Sequence, residues 1–148
     1  MSDFVNFENT RHRPGGIYTK VIDQIKKDGV CPFCPENIQK YHPNPIVNEG
    51  SYWLLTNNAY PYEGSKYHLL IIHKRHIESL GEVTPEAWDE LKFMIETFVA
   101  EHKIPGGSLM MRFGKTSYTG ASVSHLHVNF VSPDGEDKER KPIIARIG

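Results

Sequence analysis

An α+β domain is the fold class this 148-residue sequence predicts, and three observations predict it. Thr84 to about His102 carries apolar residues at helical spacing, with start and stop signals at its ends. Several shorter runs rich in aromatic and β-branched residues, divided by turn residues, read as strands. Adjacent strands joined by turns imply a mostly antiparallel sheet with the helices segregated on one side. The length predicts one domain over residues 1–148, with its core in about 17–132 and less ordered ends.

Bulk properties narrow the function classes. Hydrophobic residues make up 39% and charged residues 24%, the balance of a soluble globular chain. A net charge of −1 gives no basic field for capturing nucleic acid. No apolar run approaches the length of a membrane span. The first residues are acidic and lack an apolar stretch, so no secretory leader is expected and the cytoplasm is the expected compartment.

Residues 1–16 read as irregular, with Arg11 and Arg13 before a Pro14-Gly15-Gly16 turn. Ile17 to Asp28 reads as a short helix with the apolar stripe Ile17, Val21, Ile22 and Ile25. Lys26 and Lys27 suit its C-terminal dipole, and Gly29 suits its C′ position. Ile46-Val47, Tyr52 to Leu55 and Tyr67 to Ile72 read as strands. Asn57 to Gly64 is a turn-rich connection whose asparagines either cap turns or meet a ligand. In the long helix, Thr84 is the N-cap, Pro85 the first helical residue, and Trp88, Leu91, Ile95, Phe98 and Val99 the core stripe. Ser108 to Phe113 is a further strand whose Met110-Met111 pair packs inward. Ser132 to Gly148 is charged and turn-rich.

Two stretches carry chemistry. Cys31-Pro32-Phe33-Cys34 sets two thiols at a spacing that serves a tetrahedral metal site, a redox pair or simply two buried thiols. No thioredoxin-like strand and helix surround it. Thr119 to Val131 reads as an alternating strand, with His125, His127 and Asn129 on one face and Leu126, Val128 and Phe130 on the other. Such a histidine pair suits catalysis, metal binding or ordinary polar packing. The Gly/Ser/Thr loop from Lys115 to Ser122 lets backbone N–H groups approach an anion, which points to chemistry on phosphate.

Taken in order, Cys31 to Cys34, Asn58-Ala59-Tyr60-Pro61-Tyr62, His68 to His76, the long helix and Gly120 to Asn129 resemble the histidine triad superfamily. The match spans about residues 31–131, and the Asn58–Tyr62 segment is most similar to its dinucleoside polyphosphate hydrolase and phosphorylase branch. The resemblance implies a five-stranded antiparallel sheet and a homodimer. It implies that His127 is the nucleophile toward an α-phosphate, that Ser122 and the Thr119-Gly120-Ala121 backbone bind phosphate oxygens, and that Asn58 contacts the ribose. It further implies that Cys31, Cys34, His76 and His125 hold a structural zinc ion, Zn2+.

Four residues, at three places, depart from the family pattern. Asn129 stands where the third triad histidine usually lies; an amide can donate to phosphate but cannot act as a general acid. Gly114 and Lys115 stand where relatives often carry a nucleotide-binding Asn, a contact Lys115 would replace with charge. His73 replaces a common proline. The expected function is a nucleotidyl hydrolase or transferase acting on a nucleoside 5′-phosphoryl compound, such as a dinucleoside polyphosphate, through a nucleotidyl-histidine. The alternative is a non-catalytic nucleotide-binding protein with a structural zinc site.

Overall fold

A computed structural model describes residues 4–10 and 16–148 of the chain. Arg11, Arg13 and the first two residues of the expected Pro14–Gly16 turn lie outside the described residues. In chain order the elements are α1 (Ile17–Asp28), α2 (Pro35–Tyr41), β1 (Ile46–Glu49), β2 (Trp53–Asn57), β3 (Ser65–His73), α3 (Pro85–Glu101), β4 (Ser108–Arg112), α4 (Thr116–Thr119) and β5 (His127–Pro133). The five strands form one antiparallel sheet in the order β1-β2-β3-β5-β4.

Helix α1 has the predicted bounds. Gly29 adopts φ 66°, a left-handed conformation that glycine enters without strain, and its N–H bonds the Ile25 and Lys26 carbonyls. Only Ile22 and Ile25 of the expected stripe are buried, and Ile17 is 68% exposed. Helix α3 begins as predicted, with the Ala87 N–H donating to Thr84 Oγ1 at 3.2 Å and Pro85 in the first turn. Its buried line is Ala87, Leu91, Met94 and Phe98 rather than one through Trp88, which is 41% exposed. The cause is Trp53 of β2, fully buried, whose indole N–H donates to the Ala87 carbonyl at 2.7 Å. That close approach needs a small residue facing the sheet, so the helix turns Ala87 inward and Trp88 aside.

Helices cover both faces of the sheet, not one. On the first face, Leu55, Leu69, Ile71, Leu126, Val128 and Phe130 pack against α3, with Met111 at the margin. On the second, Leu54, Leu70 and Ile72 pack with Ile38 of α2 and with Phe33. Helix α2 follows the cysteine pair and has Pro35 in its first turn; its seven residues are too short to show a clear period in the sequence. The apolar packing also reaches back before residue 17, since Val5 is buried with Ile22, Ile25 and Val123.

Strand β5 begins at His127, not near Thr119. Upstream, the chain pairs elsewhere: Val5 bridges Val123, the Asn6 N–H donates to the Ser122 carbonyl, and the Ser124 N–H to that of Phe4. The expected loop from Lys115 contains the single turn α4, closed by Gly120 at φ 76°. After Pro133 the chain has no helix or strand and runs along the cleft described next.

Candidate functional site

Alternation along the sheet builds the site. His127 and Asn129 of β5 lie on the second face, in register with Ile72 and Leu70 of β3 on one side and with Arg112 and Met110 of β4 on the other. They open onto a cleft of about 980 Å³. Asn58, Ser122 and Gly120 also line it. Its apolar side comes from Val21, Ile22 and Ile25 of α1 with Phe33 and Leu70. Phe33 thus lines this apolar slot, whereas Ile38 is buried in the core and does not line the cleft.

His127 Nδ1–H donates to the His125 carbonyl at 2.6 Å, so the lone pair of the neutral ring resides on Nε2. The ring is buried and meets Phe33 edge-on at 5.1 Å between centroids. Ser122 Oγ hydrogen-bonds the Tyr18 hydroxyl of α1. The loop that carries Ser122 is held from the N-terminal segment, where the Asn9 amide donates to the Thr116 and Ala121 carbonyls at 2.9 and 2.6 Å. Nothing in the spacing around Asn9 signals this clasp, which connects residues more than a hundred positions apart.

A third imidazole, that of His68, adjoins His127 and Asn129. The Tyr62 N–H donates to His68 Nδ1 at 2.9 Å, so His68 carries its proton on Nε2 and donates it to Asn129 Oδ1, also at 2.9 Å. The Asn58 amide nitrogen lies 3.4 Å from the same oxygen and 3.3 Å from His68 Nε2. Asn58 also closes its own turn, its Oδ1 accepting from the Tyr60 N–H at 2.8 Å. The Asn129 oxygen is thereby engaged, and its NH₂ is the group offered to the cleft. The sequence singled out His68 only as part of a motif; its period-2 relation to Leu70 and Ile72 was the available signal.

Of the remaining expected substrate residues, Thr119 and Ala121 flank the lining without belonging to it, and Ala121 is buried. Lys115 is exposed at the start of α4 and does not line the cleft. The chain turns at Gly114, φ 78°, which leaves Arg112 as the cation that this segment directs to the cleft.

Cys31, Cys34, His76 and His125 converge, with one donor atom of each within 4.8 Å of the others. The two Nδ1 atoms are 3.1 Å apart, Cys31 Sγ is 3.3 Å from His125 Nδ1, and Cys34 Sγ is 3.6 and 3.8 Å from His76 and His125 Nδ1. Bonds of about 2.0 Å to nitrogen and 2.3 Å to sulfur in a tetrahedron give edges of about 3.3–3.8 Å, so the spacing fits a four-coordinate divalent ion. Both tautomers fit as well. His125 Nε2–H donates to the His73 carbonyl at 2.5 Å, and His76 Nε2 lies 3.3 Å from Glu78 Oε1, which leaves each Nδ1 as a lone-pair donor. Two such lone pairs at 3.1 Å repel unless a cation lies between them. Burial pushes the Cys31 thiol up to about 12 and the His125 imidazole down to about 4. Ligation would reverse the first shift and benefit from the second, since it requires a thiolate and a neutral imidazole.

Solved structures share this fold. A "Hit Like Protein" is 29% identical, with a TM-score of 0.53 over 66% of this chain and 93% of its own. A zinc-bound histidine triad family protein from Mycobacterium smegmatis is 20% identical, with a TM-score of 0.52 over 71% of this chain and 78% of its own. A hypothetical histidine triad nucleotide-binding protein from Sulfolobus tokodaii is 24% identical, with a TM-score of 0.54 over 79% of each. No curated protein matches the chain significantly. The family model described as "Scavenger mRNA decapping enzyme C-term binding" matches residues 31–143, and the chain belongs to that family, within the histidine triad superfamily.

Proposed function

We propose that this protein is a nucleotidyl hydrolase or transferase that cleaves a nucleoside 5′-phosphoryl compound through a covalent nucleotidyl-His127 intermediate. The observation that carries this reading is the Nδ1–H bond of His127 to the His125 carbonyl, which puts the nucleophilic lone pair on Nε2 of a cleft-lining ring. In the first step Nε2 attacks the α-phosphorus and the bond to the leaving group breaks, the electron pair departing with it. The Asn129 NH₂ and Ser122 hydroxyl donate to phosphate oxygens as charge builds there. In the second step water or another acceptor attacks the same phosphorus and the P–N bond returns its pair to His127. The base would enter the apolar slot along α1, and Asn58 would meet the ribose, Thr119 to Ala121 the phosphate.

Cys31, Cys34, His76 and His125 would hold zinc as a structural ion, with no open position and no part in the chemistry. Its role is to fix His125, whose carbonyl holds the nucleophile. The thiols suit a reducing compartment, the cytoplasm. Edge strand β4, with Leu109 56% exposed, suits pairing into a homodimer.

One observation favours a second reading, a nucleotide-binding protein without turnover: Asn129 cannot protonate a leaving group. Intact-mass spectrometry after mixing the protein with dinucleoside polyphosphates, nucleoside phosphoramidates and nucleotide sugars separates the two. A nucleotidyl adduct on wild type, absent from His127→Ala, is the expected result. Tight nucleotide binding with neither adduct nor product would establish the second reading instead.

A further inference from the structure

Arg112 ends β4 directly opposite His127 in the ladder and lines the same cleft. Its Nε donates to the Thr119 carbonyl at 2.9 Å and its Nη2 to the Arg146 carbonyl at 2.6 Å. The two terminal nitrogens both face the Tyr62 hydroxyl oxygen, each at 3.5 Å, the far limit of a hydrogen bond. A guanidinium fork is shaped to grip two oxygens of one anion. Here, apart from the Arg146 carbonyl on Nη2, the fork meets only a single neutral oxygen at long range. Among the described residues no carboxylate pairs with Arg112; the ion pairs are those of Lys27, Lys40, Lys74, His76 and Lys92.

The C-terminal segment completes this end of the cleft. A Cβ on Gly64 would lie 3.7 Å from Ile143, and one on Gly120 would lie 3.1 Å from the Arg146 carbonyl. Residues 143–146 therefore run toward the phosphate loop and bring Arg146 beside Arg112. The cleft also has acidic lining, from Glu63, Asp134, Asp137 and Glu139, and among the described residues none of these carboxylates forms an ion pair with Arg112. Asp134 follows Pro133, which pairs with Ser65 about 20 Å along β5 from His127.

Asn129 supplies an independent constraint. With an amide where a general acid would be needed, an amine or alcohol leaving group has no proton donor at this position. A phosphate leaving group needs none, because it departs as a stable anion.

The geometry points to Arg112, assisted by Arg146 of the C-terminal segment, as the residue that receives an anionic leaving group and so makes this chain favour pyrophosphate-linked nucleotides over phosphoramidates. The bond broken joins the α-phosphorus to the bridging oxygen. That oxygen leaves with the electron pair, and the charge spreads over the departing phosphate, where the guanidinium fork receives it. This inference rests on the proposed His127 chemistry and adds to it what leaves.

The test measures kcat/KM of the full chain on diadenosine and diguanosine tetraphosphate, and on the matching nucleoside 5′-phosphoramidates. Wild type is expected to prefer the tetraphosphates. Arg112→Gln is expected to lower kcat/KM on them about a hundredfold, the scale of losing one charge-stabilising donor, with the phosphoramidates little changed. Arg112→Lys recovers part of the loss. Arg146→Ala, which leaves the 146 carbonyl bond to Arg112 in place, is expected to cost about tenfold on tetraphosphates alone. Equal losses on both substrate types would mean that Arg112 merely braces the loop, and would overturn the inference, as would no loss or a wild-type preference for phosphoramidates. A His127 adduct formed alike from both types would overturn it while leaving the covalent reading intact. No turnover of any of the four compounds would overturn both.

Discussion

His68 Nε2–H donates to Asn129 Oδ1 at 2.9 Å, and this bond decides which end of the Asn129 amide meets the cleft. Both side chains are buried, so a missing partner costs about 1–3 kcal/mol rather than being replaced by water. His68→Phe should therefore slow nucleotidylation of His127 by about tenfold or more while leaving metal content unchanged. Single-turnover mass spectrometry checks the first outcome and elemental analysis the second. An unchanged rate would show that Asn129 is oriented by other means.

The Cys₂His₂ cluster should carry one equivalent of zinc per chain. Stripping it with a chelator should lower Tm by roughly 8 °C or more, because an ion a thousandfold above its Kd adds about 4 kcal/mol. Cys31→Ala should abolish stoichiometric zinc. Calorimetry of the chelated and reloaded protein measures the shift, and an unmoved Tm would rule out a structural ion.

Glu90 of α3 receives the backbone N–H groups of Ser51, Tyr52 and Trp53 at 2.6, 2.7 and 2.9 Å. It closes the turn between β1 and β2 and fixes where Trp53 enters the core. Glu90→Ala should destabilise the fold by about 3 kcal/mol, since hydrogen bonds to a charged group are each worth about 1.5–3 kcal/mol and three are lost at a half-exposed site. Gly50→Ala should also destabilise, because a Cβ there would come within 2.4 Å of the Glu90 carboxylate. Urea denaturation reads both; a change below about 1 kcal/mol for Glu90→Ala would contradict the assignment.

Burial holds the imidazoles of His42 and His73 below their ordinary value of 6.5. As pH falls through 6.5 the unfolded chain takes up these protons before the folded one does. Stability from these groups is thus full above pH 6.5 and declines below it, until the folded imidazoles titrate as well. Tm should fall between pH 7.5 and 5.5, and more shallowly in His42→Gln, which has no imidazole to protonate. Identical slopes for the two proteins would exclude His42 as a source.

The bounds of α1 and α3, the strand count and the pairing of apolar with polar faces were legible in the sequence, because each depends on spacing within one segment. Gly29 and Thr84 mark ends through their own conformational preferences. The order of motifs from Cys31 to Asn129 also identified the four cluster residues and the nucleophile candidate. Tertiary structure decided whatever depends on two distant segments meeting. Trp53 rotates α3 so that Ala87, not Trp88, faces inward. The N-terminal segment captures residues 122–124 and delays β5 until His127. Lys115 and Arg112 are three residues apart and equally basic in sequence. Only the end of β4 and the turn at Gly114 assign the cleft to Arg112. His68 and Asn129 lie 61 positions apart, and their bond exists because β3 and β5 pair in one register. A sequence carries its local periods openly, but register and burial are set by the free energy of the whole packed chain.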